Sequence, residues 1–105
     1  MDRFAYAAEL ATLYGRDPEA TRSVLETWQS WWRDLLLHRL GLTELTINVD
    51  LVDRLRSEAR SYPVEALAGM VKSIQQTMTL LGQNVNPRLA IESLMLNVPR
   101  PAIRN

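Results

Sequence analysis

Pro18, Pro63 and Pro87 each stand in front of a stretch whose apolar residues recur at helical spacing, and Gly15, Gly41 and Gly82 each stand behind one. Proline fits the first position of a helix, where its missing N–H is no loss, and glycine is the residue that most readily stops one. Asp17 precedes Pro18 and Asn86 precedes Pro87, and both side chains are good acceptors for the free amides of a first turn. This punctuation confines the chain to helices joined by short connections.

Five helices follow. The first spans about Asp2 to Tyr14 and stops at Gly15. Its apolar residues lie on two sides, Phe4, Ala8 and Ala11 on one and Tyr6, Leu10, Leu13 and Tyr14 on the other, so it is expected to touch more than one neighbour. The second runs from Asp17-Pro18 to about Leu40 and stops at Gly41. At ~100° per residue, Val24, Leu25, Trp28, Trp31, Trp32, Leu35 and Leu36 share one half of its surface, and Leu37 falls opposite Trp28. Leu42 to Val49 reads as a loop, with room for a short extended piece at Leu45-Thr46-Ile47 but no partner strand. A third helix, capped by Asn48 or Asp50, lays Leu51, Val52, Leu55, Ala59 and Tyr62 along a narrow stripe and turns Asp53, Arg54, Arg56 and Arg60 to solvent. The fourth opens at Ser61-Tyr62-Pro63, with Glu65 near the positive end of its dipole, and buries Val64, Leu67, Val71, Ile74, Met78 and Leu81 before Gly82. The fifth begins at Asn86-Pro87 and ends before Pro99. Leu89, Ala90, Ile91, Leu94, Met95 and Leu96 surround it, leaving Arg88 and Glu92 as its polar strip. A helix apolar nearly all round belongs in the centre of a bundle or at an oligomer interface. The fold class expected is all-α, a five-helix bundle formed by a single domain over residues 1–105.

The chain carries no net charge, which argues against a large basic surface for nucleic acid. With no Cys it has neither disulfides nor thiolate metal ligands, and the cytoplasm is the expected compartment. Met1-Asp2-Arg3-Phe4 lacks the apolar run of a signal peptide, and no stretch approaches the ~18 uninterrupted apolar residues of a membrane span.

The residues offer no reaction. The glycines are isolated, and none is followed by the Gly-Lys-Ser/Thr of a phosphate loop. His38, the single histidine, sits near Trp31 at the edge of the second helix's apolar face, with no Ser or Asp placed to make a catalytic constellation, and reads as structural. Carboxylates are scattered among arginines, so neither a metal site nor a hydrolytic pair is indicated. Trp28, Trp31 and Trp32 have the chemistry to stack on single-stranded nucleic acid, but they share a face with Val24, Leu25, Leu35 and Leu36, the pattern of a core stripe. Met70, Met78 and Met95 read as packing filler. Arg54, Arg56 and Arg60 alternate with Asp53 and Glu58, as on a solvated face rather than a phosphate site. No catalytic, cofactor-binding or metal residue is assigned, and the domain is expected not to be an enzyme. What stands out is surplus apolar surface. Leu37, Leu80 and the second faces of helices one and five are hard to bury among five helices, and such surplus marks a protein partner.

Trp31-Trp32-Arg33-Asp34-Leu35-Leu36-Leu37, followed by Gly41, is similar to the arginine–aspartate–leucine run of delta-prime subunits of bacterial DNA polymerase III clamp loaders. Asn84-Val85-Asn86-Pro87-Arg88-Leu89-Ala90-Ile91-Glu92-Ser93-Leu94-Met95-Leu96, then Pro99-Arg100, resembles their closing helix, and Asn48-Val49-Asp50 matches the helix start between the two. From Thr21 to Arg100 the chain thus resembles the C-terminal collar domain of clamp-loader subunits, delta-prime above all.

That resemblance implies a five-helix collar domain. In such loaders the C-terminal domains of gamma or tau, delta and delta-prime subunits pack side by side into a ring. The ring holds AAA+ modules that use ATP to open the sliding clamp and set it on primed DNA, and delta-prime is a stator without productive ATP hydrolysis. Those modules precede the collar, so the chain corresponds to a C-terminal fragment of a longer subunit. The implied partners are gamma/tau and delta through collar packing, with no membrane, no cofactor and little or no direct contact with nucleic acid. The gamma or tau collar is the nearest alternative, although tau continues further, whereas this chain ends at Asn105. A helical regulator that binds DNA or a small ligand is an alternative of another class. Two ion pairs are expected to be structural, Asp34 with Arg88 and Arg33 with Glu92, and Leu37 and Leu80 are the candidate partner surface.

Overall fold

The computed structural model describes residues 3–83 and 85–100, which form five helices and no strand. These are α1 (Arg3–Arg16), α2 (Pro18–Arg39), α3 (Val52–Ala59), α4 (Val64–Leu81) and α5 (Pro87–Asn97), with short 3-10 turns at Thr43–Leu45 and Val49–Leu51. The all-α five-helix architecture expected from the sequence is the one observed. Asp2, Asn84 and the side chain of Phe4 lie outside what is described. No described helix is long and apolar enough to cross a membrane.

The helix starts follow the prolines. Asp17 accepts a hydrogen bond from Ala20 N at 3.1 Å, and Asn86 accepts from Arg88 N and Leu89 N at 3.0 and 3.3 Å. Each therefore satisfies amides that a first turn leaves free. The stops follow the glycines less closely. Gly41 takes the left-handed backbone, φ 80°, where the chain leaves α2. Gly15 does not stop α1. The helix continues through it to Arg16, and the Asp17–Pro18 start of the next helix ends it, with Asp17 N still donating to Leu13 O at 2.7 Å. Gly82 likewise follows α4 in an ordinary right-handed conformation.

The helix three cap also differs from expectation. A 3-10 turn leads into α3, and neither Asn48 nor Asp50 caps it. The Asn48 side chain instead donates to the Asp34 carboxylate, a charge-assisted hydrogen bond that holds it against α2.

Two clusters make the core. In the first, Ala7 and Leu10 of α1, Leu25 of α2, Met70, Ile74 and Leu81 of α4, and Ala90, Ile91, Leu94 and Met95 of α5 close on one another. In the second, Leu35 of α2 meets Leu55 and Ala59 of α3 and Leu67 of α4. Trp32 packs against both. The buried face of α4 is turned slightly from the expected stripe. Met70 and Thr77 are buried, while Val64, Val71 and Met78 are half-buried. Thr77 tolerates burial because its hydroxyl donates to Ser73 O at 2.8 Å. Tyr14 ties the ends of α1 and α4 together, its hydroxyl donating to Leu81 O at 2.6 Å.

Candidate protein-interaction site

Asp34 is fully buried on α2 and organises the turn from α2 to α3. Ile47 N donates to both of its carboxylate oxygens, at 3.2 and 3.0 Å. Asn48 N and Asn48 Nδ2 donate to Oδ2 at 2.7 and 2.6 Å, and Nδ2 also reaches Ser30 Oγ at 3.3 Å. A buried carboxylate is costly unless its lone pairs are filled, and here backbone amides fill them. The connection is held further by Leu42 N donating to Leu37 O at 2.8 Å and by the Thr46 hydroxyl donating to Thr43 O at 2.8 Å.

The expected pairs across helices do not form. Arg88 bonds Glu92 one turn along its own helix, Nε to Oε1 at 2.9 Å, on the surface. Such an exposed pair contributes about 0.3–0.5 kcal/mol. Arg33 is nearest to its own neighbour Asp34, at 3.8 Å. The reason is placement. Asp34 faces the α2–α3 turn and its oxygens are taken by amides, whereas Arg88 starts α5, which packs against α1 and α4.

Among the described residues, surplus apolar surface gathers in two places. On α5, Leu89 and Leu96 are 60% and 64% exposed. At ~100° per residue they fall about 20° apart and opposite the buried Ala90, Ile91, Leu94 and Met95. The helix therefore carries one apolar face inward and a second outward. On the α2–α3 connection, Leu40, Leu42, Leu45, Ile47 and Leu51 are all exposed, Leu45 by 54% and Ile47 by 64%. Sequence reasoning read that stretch as a loop and missed its surface. The signal was its content of large apolar residues with no helical or strand period to bury them.

The residues expected to meet a partner lie elsewhere. Leu80 is 38% exposed on α4, beside Gln75, Gln76 and Thr79. Leu37 is half-buried rather than outward, and its carbonyl accepts from Leu42 N where the chain turns after Gly41.

The tryptophans are half-buried. Trp28 stacks on Tyr6 with centroids 5.4 Å apart, and Trp32 meets Tyr62 edge-on at 5.3 Å. Trp28, Trp31 and Trp32 also line a groove of about 610 Å³ together with Leu51, Arg54, Met95 and Val98. The Arg54 guanidinium lies 5.3 Å from the centroid of the Trp31 ring and bonds Glu58 at 2.9 Å. Burial raises the Tyr6 and Tyr62 hydroxyl pKa values, with smaller contributions from Glu9 and Glu58. Both ring nitrogens of His38 are shielded and without a hydrogen-bond partner. Among the described residues no three His, Asp or Glu side chains gather into a metal site. The arrangement offers surfaces for packing against protein.

Residues 5–99 match the family described as DNA polymerase III, delta subunit, C terminal. No curated protein and no solved structure matches the chain.

Proposed function

Because the chain belongs to the family of C-terminal domains of the DNA polymerase III delta subunit, we propose that it is a non-catalytic assembly domain that holds its parent subunit in a clamp-loader ring. The observation that carries this reading is the double-faced α5. Its inward side closes the core, and its outward Leu89 and Leu96 offer a second apolar stripe that is mostly exposed among the described residues. A helix built this way gains stability from a second neighbour, as side-by-side packing of domains in a ring provides.

The finer assignment proposed is delta-prime. It is supported by the run Trp31 to Leu37 with Gly41 behind it, and by the closing segment Asn84 to Leu96. The delta subunit itself is the second reading, favoured by the wording of the matched family. On either reading the chain is the C-terminal part of a longer cytoplasmic subunit. Its partners are gamma/tau and the remaining delta-class subunit, and it makes little direct contact with DNA.

Reconstitution tests this. The full-length subunit should restore clamp loading to a loader depleted of delta-prime, and restoration of a delta-depleted loader instead would establish the second reading. Replacing Leu89 and Leu96 together with Glu should leave helix content and melting temperature nearly unchanged, since both side chains are exposed. It should weaken ring assembly about tenfold or more, the scale of losing interface anchors. Normal assembly of that variant would remove α5 from the interface.

A further inference from the structure

A head-to-tail ring uses two different surfaces on every subunit. The outward stripe of α5 supplies one of them on the reading above, and the following inference rests on that reading. Five of the eight large apolar residues that stand exposed among the described residues lie in the single connection between α2 and α3: Leu40, Leu42, Leu45, Ile47 and Leu51. A connection that merely joined two helices would gain nothing from them. This one is also fixed in place. The buried Asp34 carboxylate holds the amides of Ile47 and Asn48, and 3-10 turns on either side set the backbone. The molecule thus buries a charge to hold a segment whose large side chains face water. That arrangement lowers the ordering cost of a binding event rather than adding to the core.

The charges within this ledge are of one sign, and the arginines that border it are already engaged, Arg39 with Tyr62 O, Arg54 with Glu58 and Arg33 with Asp34. Residues 40–53 contain Glu44, Asp50 and Asp53, all exposed, and neither Lys nor Arg. We propose that the Asp34-latched ledge is the second ring surface, and that it docks on an adjacent, unlike clamp-loader subunit through an apolar patch rimmed by Arg or Lys. Leu45 and Ile47 insert at the centre of that contact. Glu44 and Asp50 face the basic rim, where they speed encounter and fix register.

The test uses the full-length subunit in assembly with its loader partners, followed by size exclusion and by association kinetics. Leu45→Glu with Ile47→Glu should cost about tenfold or more in affinity, mainly through faster dissociation. Glu44→Lys with Asp50→Lys, which touches no core residue, should slow association several-fold, and the difference from wild type should shrink at high salt. Helix content of each variant is checked in parallel, and if the first variant misfolds the second still decides. Wild-type assembly alongside normal assembly of the folded variants overturns the ledge and leaves the ring reading standing. Failure of the wild-type subunit to join any loader overturns the ring reading itself. Self-association of the wild-type subunit that Ile47→Glu abolishes assigns the ledge to a second copy and overturns the unlike-partner proposal.

Discussion

The bundle around Ile74 and the turn around Asp34 lie in the same small domain and are held by opposite means. Around Ile74, four helices bring aliphatic side chains together, and the backbone bonds are satisfied within each helix. Around Asp34, by contrast, Leu42, Leu45, Ile47 and Leu51 stand exposed, and one carboxylate supplies the acceptors for the amides of Ile47 and Asn48. The first region draws its stability from excluded water, the second from satisfied hydrogen bonds. The difference shows that order and apolar burial are separable. A segment can be fixed without being buried, and its apolar side chains then remain free for a partner.

The comparison breaks most visibly at Ile74. Ile74→Ala should destabilise the domain by about 2–5 kcal/mol in chemical denaturation, the range for opening a cavity in a packed core. The two core clusters share α2 and α4, so the loss should appear as one shifted transition rather than two. A separate early transition would mean that the clusters unfold independently.

Asp34→Ala comes next, at about 2–4 kcal/mol, because two amides lose their acceptor. Its effect should be local as well as global. Hydrogen exchange at Ile47 and Asn48 should accelerate far more than exchange in the middle of α4. Equal acceleration in both places would show that the turn and the bundle are one unit and would dissolve the contrast.

Both halves of this picture were unequally legible in the sequence. Helix starts at Pro18 and Pro87 could be read because an acceptor at the cap and a proline at the first position act through neighbouring atoms only. The apolar faces of α2 and α5 could be read because helical period alone sets them. The part played by Asp34 could not. It depends on amides at positions 47 and 48 arriving beside it, a matter of how the chain folds back after Gly41, and the expected link to Arg88 presumed a face that α5 does not turn toward it. Gly15 misled for a related reason. A glycine permits the left-handed conformation, but the strong start at Asp17 made that conformation unnecessary. The outward apolar ledge was missed because a loop has no period against which a surplus can be counted.

The smallest expected effect sharpens the contrast at high pH. Burial raises the Tyr6 hydroxyl on the bundle side and the Tyr62 hydroxyl on the α3 side above the ordinary 10.0. The folded chain then holds those protons more tightly than the unfolded chain. The contribution of these two hydroxyls to stability is present below pH 10.0 and is lost as pH rises through the folded values, since the unfolded state ionises first. Melting temperatures followed from about pH 9 to 11 should decline in wild type and decline less in Tyr62→Phe and in Tyr6→Phe. No flattening in either variant would place the alkaline sensitivity elsewhere.

Trp32 touches both core clusters and lies edge-on to Tyr62. Seen as an optical probe rather than a packing element, it is a chromophore seated on the seam of the molecule. With Trp28 and Trp31 replaced by Phe, its emission would redden when water reached either flank. One wavelength would then follow the loosening of both core clusters.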